Sequence, residues 1–441
     1  MKVYYYTFGC KVNQYETENI RQAMEQKGFD TISDFRTADI AIINTCTVTS
    51  RSDLKFRQLL HKIRRINPTC IVVMTGCFPQ AFTEEAEAMT ECDIIVGSND
   101  KTRIPEFLDE FLCKRQRIIY IQPHTKGEKF EHMTNCGNSD KTRTYIKIQD
   151  GCDQYCTYCI IPYARGHIRS KPLPEIAKEV KNFVATDYKE IVVVGINLCC
   201  YGKDFNDGTR LIDAIELICH TAENCRIRLG SIEPEMISDN DIKRMAGLKN
   251  LCPQFHLSLQ SGCNNTLRAM NRKYTSDEYA ELCEKLRAKF PDCAITTDIM
   301  VGFPGETDED FKQSLAFAEK ISFAKAHIFP YSRRKGTIAD KKPDQIPKSI
   351  KEQRADKMAK VCEIEQKKFL LSMVGKTCTV LFEKENSPAY HQGYTANYTL
   401  VKTPRVDADI SLKKQMFDVK ITGIENDYCI GEIVKEDSYE K

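Results

Sequence analysis

Three thiols in one short stretch, Gly151-Cys152-Asp153-Gln154-Tyr155-Cys156-Thr157-Tyr158-Cys159, carry the most specific chemistry in the chain. A C-x3-C-x2-C loop lets each thiolate reach a different iron of one cubane cluster. The fourth iron is left without a protein ligand and open to a small molecule. A structural zinc is the alternative, but zinc usually takes four protein ligands, often as two separated pairs, and no nearby fourth Cys or His completes such a set. Three further thiols follow apolar runs: Cys10 after Phe8-Gly9, Cys46 after Asn44-Thr45 and Cys77 after Thr75-Gly76. One strand-end Cys is most simply a small buried residue. Three of them, at the ends of three strands of one open parallel sheet, meet in the crevice where such sheets place ligands and could hold a second iron–sulfur cluster.

The elements that must position these groups follow from the apolar pattern. Runs at 3–8, 40–43, 71–74 and 94–96 alternate with helical stretches, which predicts an open parallel α/β domain over residues 1–112. Its first helix is expected to start at Asn13 as N-cap, with Glu16 three residues on and Gly28 just past its end. Residues 113–142 lack periodicity, carry Pro123, Gly127 and Gly137, and read as a linker in which Cys136 has no assigned role. From 143 to 372, strands near 144–149, 191–195, 226–231, 255–260, 295–302 and 326–331 alternate with helices. That pattern predicts a partial (β/α)6 barrel with its chemistry at the strands' C-terminal ends, closed off by a helix over 349–371. Short strands near 377–382, 393–401, 417–424 and 428–434 predict a small β-barrel over 373–441.

With its aromatic Tyr158 just before the last Cys, the loop resembles the signature of the radical S-adenosylmethionine (SAM) enzymes. The blocks Gly9-Cys10-Lys11-Val12-Asn13-Gln14-Tyr15-Glu16, Ile43-Asn44-Thr45-Cys46-Thr47-Val48-Thr49 and Thr75-Gly76-Cys77 resemble the methylthiotransferase family, and the resemblance covers essentially the whole chain. It implies two [4Fe–4S] clusters, one on Cys152, Cys156 and Cys159 and an auxiliary one on Cys10, Cys46 and Cys77. SAM would serve twice, as methyl donor to sulfur and as source of a 5′-deoxyadenosyl radical that activates the acceptor carbon. By the same resemblance the SAM cavity would draw on Tyr158, on Gly195 and Asn197, on Ser231 and Glu233, on Gln260, and on Asp298 and Gly302. Cys199, Cys200 and Cys263, near the same rim, are read as neutral replacements. The last domain is similar to the TRAM domain, which binds RNA; Tyr390, Tyr394, Tyr398 and Phe417 are base-stacking candidates and equally good core residues.

Within the family, the first-Cys block looks most like the branch that modifies C2 of N6-threonylcarbamoyladenosine just 3′ of a tRNA anticodon. The branch acting on isopentenyladenosine in tRNA usually has Gln-Met where this chain has Lys11-Val12, and a third branch acts on an aspartate of a ribosomal protein. A non-catalytic iron–sulfur RNA-binding or sensor protein is the reading from another class; it would need no SAM cleavage. The partners implied are a tRNA anticodon stem-loop carrying the threonylcarbamoyl group and an electron donor such as flavodoxin or ferredoxin.

The formal net charge is +2, so nucleic-acid contact must come from local patches. The helix over 50–65 has six basic residues (Arg51, Lys55, Arg57, Lys62, Arg64, Arg65) against Asp53 alone. The stretch 325–373 holds thirteen basic and six acidic residues, and Arg333, Arg334 and Lys335 follow the sixth barrel strand as phosphate-binding candidates. No apolar run of about 18 residues is present, and the first residues form no signal-peptide core, so a cytoplasmic protein without a membrane segment is expected. The 21 cysteines of such a chain are expected to stay reduced.

Overall fold

The computed structural model describes residues 1–133, 141–384, 387, 389–405 and 411–434; Cys136 lies outside them. The first domain is a six-stranded parallel sheet of β1 (Lys2–Thr7), β2 (Asp30–Ile32), β3 (Ile40–Thr45), β4 (Ile71–Gly76), β5 (Ile94–Val96) and β6 (Ile118–Tyr120), in the order β2-β1-β3-β4-β5-β6. Central strands β3 and β4 are buried at every position, which is why they read as unbroken apolar runs. Helices α1 (Lys11–Gln26), α2 (Ser50–Ile66), α3 (Cys77–Ala81), α4 (Thr83–Glu87) and α5 (Ile104–Lys114) cover its two faces. Ile20, Met24 and Phe107 pack on one face, and Phe56, Leu60 and Phe78 on the other. Strand order reverses direction between β1 and β3, and Cys10 and Cys46 stand at that switch point.

Two expectations are corrected here. Asn13 does not cap α1: Cys10 is the N-cap, and Asn13 lies in the first turn, donating its amide to Phe8 O (2.9 Å) and Thr45 O (3.0 Å). Those two bonds tie the ends of β1 and β3 together, a long-range use of an Asn that a local capping rule does not register. The segment after residue 112 is not all connector, because β6 pairs with β5 through Ile94–Ile118, Ile95–Ile119 and Val96–Tyr120. A three-residue edge strand is too short to show an alternation.

The central domain is an open barrel of parallel strands. β7 (Arg143–Lys147), β10 (Glu190–Val194) and β11 (Arg226–Leu229) form one half, in the order β11-β10-β7, and β12 (Ser231–Ile232), β13 (Gln254–Leu257), β14 (Ala294–Val301) and β15 (Lys325–Pro330) the other. The run from Arg226 to Ile232 belongs to both halves: its first part pairs with β10 and its second with β13, turning at Gly230. A short ribbon of β8 (Gln149–Asp150) and β9 (Arg169–Ser170) brackets the Cys loop and α6 (Ile161–Arg165). Helices α7 (Leu173–Ala185), α8 (Leu211–Thr221), α9 (Asp239–Ala246), α10 (Asn264–Ala269), α11 (Ser276–Lys289) and α12 (Asp308–Ile321) wrap the outside, and α13 (Lys348–Met373) leads to the last domain. Residues such as Ile191, Val193, Phe255, Leu257, Ile295 and Ile299 point outward into one core beneath these helices, so the opposite strand faces line a lumen.

The last domain is a closed barrel of β16 (Thr377–Lys384), β17 (Tyr390–Thr395), β18 (Leu400–Pro404), β19 (Met416–Glu425) and β20 (Tyr428–Ile433), in the order β16-β17-β18-β20-β19. The single strand expected over 393–401 is a hairpin instead, β17 pairing with β18 and Tyr398 at φ +68° in its turn.

Candidate active site

Cys10, Cys46 and Cys77 come together at the C-terminal edge of the first sheet. Cys10 opens to solvent and the other two are buried. Gly9 and Gly76 shape this edge: a Cβ on Gly9 would meet Cys46 Sγ at 2.9 Å, and one on Gly76, at φ +106°, would meet Thr45 O at 2.4 Å. Burial pushes the Cys46 thiol up to about 12, and charge on Cys77 and then Cys10 adds to the rise, so the three thiols share one electrostatic environment. Val48 N donates to Cys46 Sγ at 3.5 Å. The guanidinium of Arg165, which belongs to the central domain, donates from Nε to Cys77 Sγ at 3.2 Å and from Nη2 to Asn13 Oδ1 at 2.6 Å.

Cys152, Cys156 and Cys159 sit at the mouth of the barrel, all partly accessible. Burial, followed by charge on Cys156, lifts the Cys159 thiol to about 12. Gly151, at φ +72°, seats the loop against the backbone of His167, two residues before β9. Gln149 ties it to the end of β10, donating to Asp150 O and Gly151 O (both 2.7 Å) and accepting from Asn197 N at 2.7 Å. Asn197 then places Nδ2 3.9 Å from Cys152 Sγ, while its buried Oδ1 has no hydrogen-bond partner. Arg272, which the sequence did not single out, donates to Cys156 Sγ at 3.4 Å and to the Glu233 carboxylate. Burial raises the Glu233 carboxyl to about 6 even with Arg272 beside it.

Among the described residues no three His, Cys, Asp or Glu side chains converge closely enough to hold a single metal ion. Thiols that each take a different iron of a cubane need no such convergence. Both sets fit a cluster by chemistry: all-thiol donors, arginines (Arg165, Arg272) placed to balance thiolate charge, and next to one set a buried amide oxygen still lacking a donor.

The remaining rim residues lie around the same opening. Tyr158 packs with Met270, Phe303 and Tyr331. Gly195 closes on the Gln149 side chain, Ser231 is exposed, and Gln260, at φ +65°, bridges to β14 through Asp298 O and Met300 N. Asp298 stands 3.4 Å from His256 Nε2, and Gly302 N donates to Glu306 at 2.7 Å. Cys199 is bonded to the Glu233 backbone and Cys263 to Asp310, and Cys200 is buried.

A buried ionic network joins the two thiol sets. Glu16 accepts from Lys147 (2.8 Å), Lys101 (3.1 Å) and Arg165, and Asp150 accepts from Lys147 (2.8 Å) and from Gly151 N (2.8 Å) at the start of the Cys loop. Sequence patterning gave no signal for this network, since its partners come from different domains.

The three basic candidates after β15 separate. Arg334 is buried, donating to Thr47 Oγ1 (2.6 Å) and Asp53 (2.7 Å), so it anchors the central domain to the first and does not face a phosphate. Arg333 and Lys335 are exposed. The same anchor lays the start of α2, with exposed Arg51 and Lys55, beside this segment, and Ser50 and Ser332 meet at 3.1 Å. Tyr394 and Tyr398 stack on each other (4.7 Å between centroids) under Arg143 at the barrel base; Phe417 packs on Phe382, and Tyr390 is exposed.

Residues 146–318 match the radical SAM superfamily, and residues 2–97 match uncharacterized protein family UPF0004. Over 406 residues the chain is 36% identical to the threonylcarbamoyladenosine tRNA methylthiotransferase MtaB of Bacillus subtilis (strain 168), covering 90% of this chain and 89% of the relative. It is 31% identical over 438 residues to the tRNA-2-methylthio-N(6)-dimethylallyladenosine synthase of Acetivibrio thermocellus, covering 97% of this chain and 90% of the relative. The radical SAM methyltransferase TsrM of Kitasatospora setae shares the fold at a TM-score of 0.55 and 13% identity, over 74% of this chain and 72% of that one. With relatives this similar along nearly their full lengths, the chain belongs to the radical SAM tRNA methylthiotransferase family.

Proposed function

We propose that this protein adds a methylthio group to C2 of N6-threonylcarbamoyladenosine in tRNA, next to the anticodon. The observation that supports the reading is that two all-thiol sets are tied together: Arg165 donates to Cys77 and to Asp150, and Asp150 accepts from Gly151 N at the start of the Cys152 loop. Helix α1 starts at Cys10 and lays Val12 on Val192 and Val194 of the barrel wall, while the Cys152–Cys159 loop opens on the same mouth. The acceptor is that of the threonylcarbamoyladenosine tRNA methylthiotransferases to which the chain is 36% and 37% identical.

The radical SAM family uses a [4Fe–4S] cluster and SAM. On this reading Cys152, Cys156 and Cys159 hold that cluster, and Cys10, Cys46 and Cys77 hold a second one. When bound, these groups supply reductive SAM cleavage and the sulfur that is methylated and transferred. The chain's own residues bind and orient. Asn197, with its buried unsatisfied Oδ1, and Glu233, whose carboxylate is held by Arg272, would accept from the ammonium and ribose hydroxyls of bound SAM. Tyr158, Gly195, Ser231, Gln260, Asp298 and Gly302 complete that rim. Arg272 and Arg165 offset thiolate charge on Cys156 and Cys77. The C-terminal barrel serves as a TRAM-like RNA-binding module, Arg333 and Lys335 hold phosphates, a flavodoxin or ferredoxin supplies electrons, and the site of action is the cytoplasm.

The test is nucleoside mass spectrometry of tRNA from cells lacking this modification, with and without the protein. The 2-methylthio form of threonylcarbamoyladenosine is expected, and it disappears with Cys10→Ala or Cys156→Ala. Methylthiolation of isopentenyladenosine instead would overturn the acceptor. Absence of any methylthio nucleoside from an iron-loaded protein would overturn the activity.

A further inference from the structure

Beside the rim residue Asp298, the barrel lumen carries basic side chains that the cluster chemistry leaves unused. On β13, β14 and β15 the residues facing inward include His256, Asp298, Lys325 and His327. His256 and His327 stand 6.3 Å apart between ring centroids, and His256 Nε2 is 3.4 Å from Asp298. Across from them α1 begins at Lys11, next to Val12, whose side chain packs on the inward-facing Val192 and Val194. Lys11 lies within electrostatic reach of Arg143, Arg228 and Glu190 on the floor and of His327 on the facing strand.

The carboxylates of that floor are already taken. Both Glu190 oxygens accept from Arg228 at 2.9 Å, and Glu383 accepts from Arg143. Lys11 and Lys325 make no ion pair among the described residues, and both are accessible to solvent in the lumen. Two ammonium groups and two imidazoles share this open space with one carboxylate, Asp298, so the local balance is basic and leaves a place for a further anion. An isolated cation facing a desolvating ligand without a counter-charge would be costly.

We propose that Lys11, with His327 and Lys325, binds the carboxylate of the threonylcarbamoyl group and so selects the acidic N6 substituent over an apolar one. The inference rests on the acceptor proposed above. Its physical basis is asymmetric: a site built to pair a carboxylate leaves its ammonium groups unpaired when an isopentenyl or unsubstituted adenosine enters, and it rejects both.

The experiment is equilibrium binding of the reconstituted protein to four anticodon stem-loops of one sequence, carrying the threonylcarbamoyl group, its methyl ester, an isopentenyl group, or unmodified adenosine. The wild type is expected to bind the acid about tenfold or more tightly than the ester or the unmodified loop, as one charge-assisted contact allows. Lys11→Met should bring the acid to the level of those two while leaving their affinities unchanged, Lys11→Arg should keep much of the preference, and His327→Gln should reduce it. Iron content equal to wild type in each variant shows that the neighbouring Cys10 site is intact. A Lys11→Met protein that still prefers the acid, or a wild type that binds the ester as well as the acid, overturns the subsite alone. A wild type that prefers an isopentenyl-bearing loop overturns both the subsite and the acceptor.

Discussion

A Cβ on Gly151 would stand 1.8 Å from the carbonyl oxygen of His167, at a φ of +72° that L side chains avoid. Gly151→Ala must therefore displace the Cys152 end of the loop. Iron bound after reconstitution is expected to fall to the level of a Cys156→Ala control, with far-UV circular dichroism unchanged, since the barrel core lies elsewhere. The second single-residue effect is electrostatic. Burial alone would raise the Glu16 carboxyl, but Arg165, Lys101 and Lys147 outweigh it and hold the group well below its ordinary 4.5. Because the folded value is depressed, the stabilisation is fully present above about pH 4.5 and is lost as pH falls through the window toward the folded value. Glu16→Gln should cost about 3–5 kcal/mol at neutral pH, the range for removing one partner of a buried ionic cluster. It should also flatten the acid limb of the urea midpoint between about pH 5 and pH 3. A variant whose acid limb stays as steep as wild type would show that other carboxylates, Asp150 first among them, carry the pH dependence.

At the scale of elements, the six thiols were legible because each follows a local signal, a loop spacing or a strand end, and parallel α/β topology brings strand ends to one crevice. The barrel strands were legible for the same reason, each a buried run between helices. What was not legible is what joins the elements. Arg165 and Glu16 are 149 residues apart, Arg334 and Asp53 are 281 apart, and no periodicity in one chain encodes such pairs. The hairpin turn at 396–399 was hidden because Tyr398 takes a left-handed backbone that Gly or Asn usually announces. That turn docks the last domain: Arg228 lies 4.5 Å from the Tyr398 ring centroid and donates to Ala396 O at 3.0 Å, and Arg143 donates to the Tyr398 hydroxyl at 2.8 Å. Tyr398→Asn tolerates the backbone and deletes the ring and hydroxyl. It should cost about 2 kcal/mol through the lost cation–π and hydrogen-bond contacts. The expected readout is earlier unfolding of the C-terminal barrel and faster proteolysis near 374–376, with the barrel's own β17–β18 pairing retained.

For the whole molecule, domain packing decides which charges remain for RNA. The sequence presents two basic stretches, 50–65 and 325–373, as separate features, and the Arg334–Asp53 bond brings their ends together. In the process it removes Arg334, while Arg64 is spent on Asp93 and on the backbone of Glu91, and Arg57 on Glu85. Arg333 is exposed but paired with Asp340 at 2.9 Å, so Arg51, Lys55 and Lys335 carry most of what remains on adjoining elements, and the last domain adds little phosphate attraction because its own composition is slightly acidic. Long-range tRNA attraction should therefore depend on this joined patch, and it should fall with salt in proportion to the phosphates neutralised. Charge reversal of Lys55 and Lys335 together should lower the slope of log affinity against log salt by about 1.5. Each single reversal should lower it by about half of that, and Arg334→Met should lower thermal stability with the slope unchanged. A slope that shifts with Arg334→Met and not with Lys335→Glu would mean that the two domains open at the Asp53 contact when tRNA binds, and that the buried arginine is the one that meets the backbone.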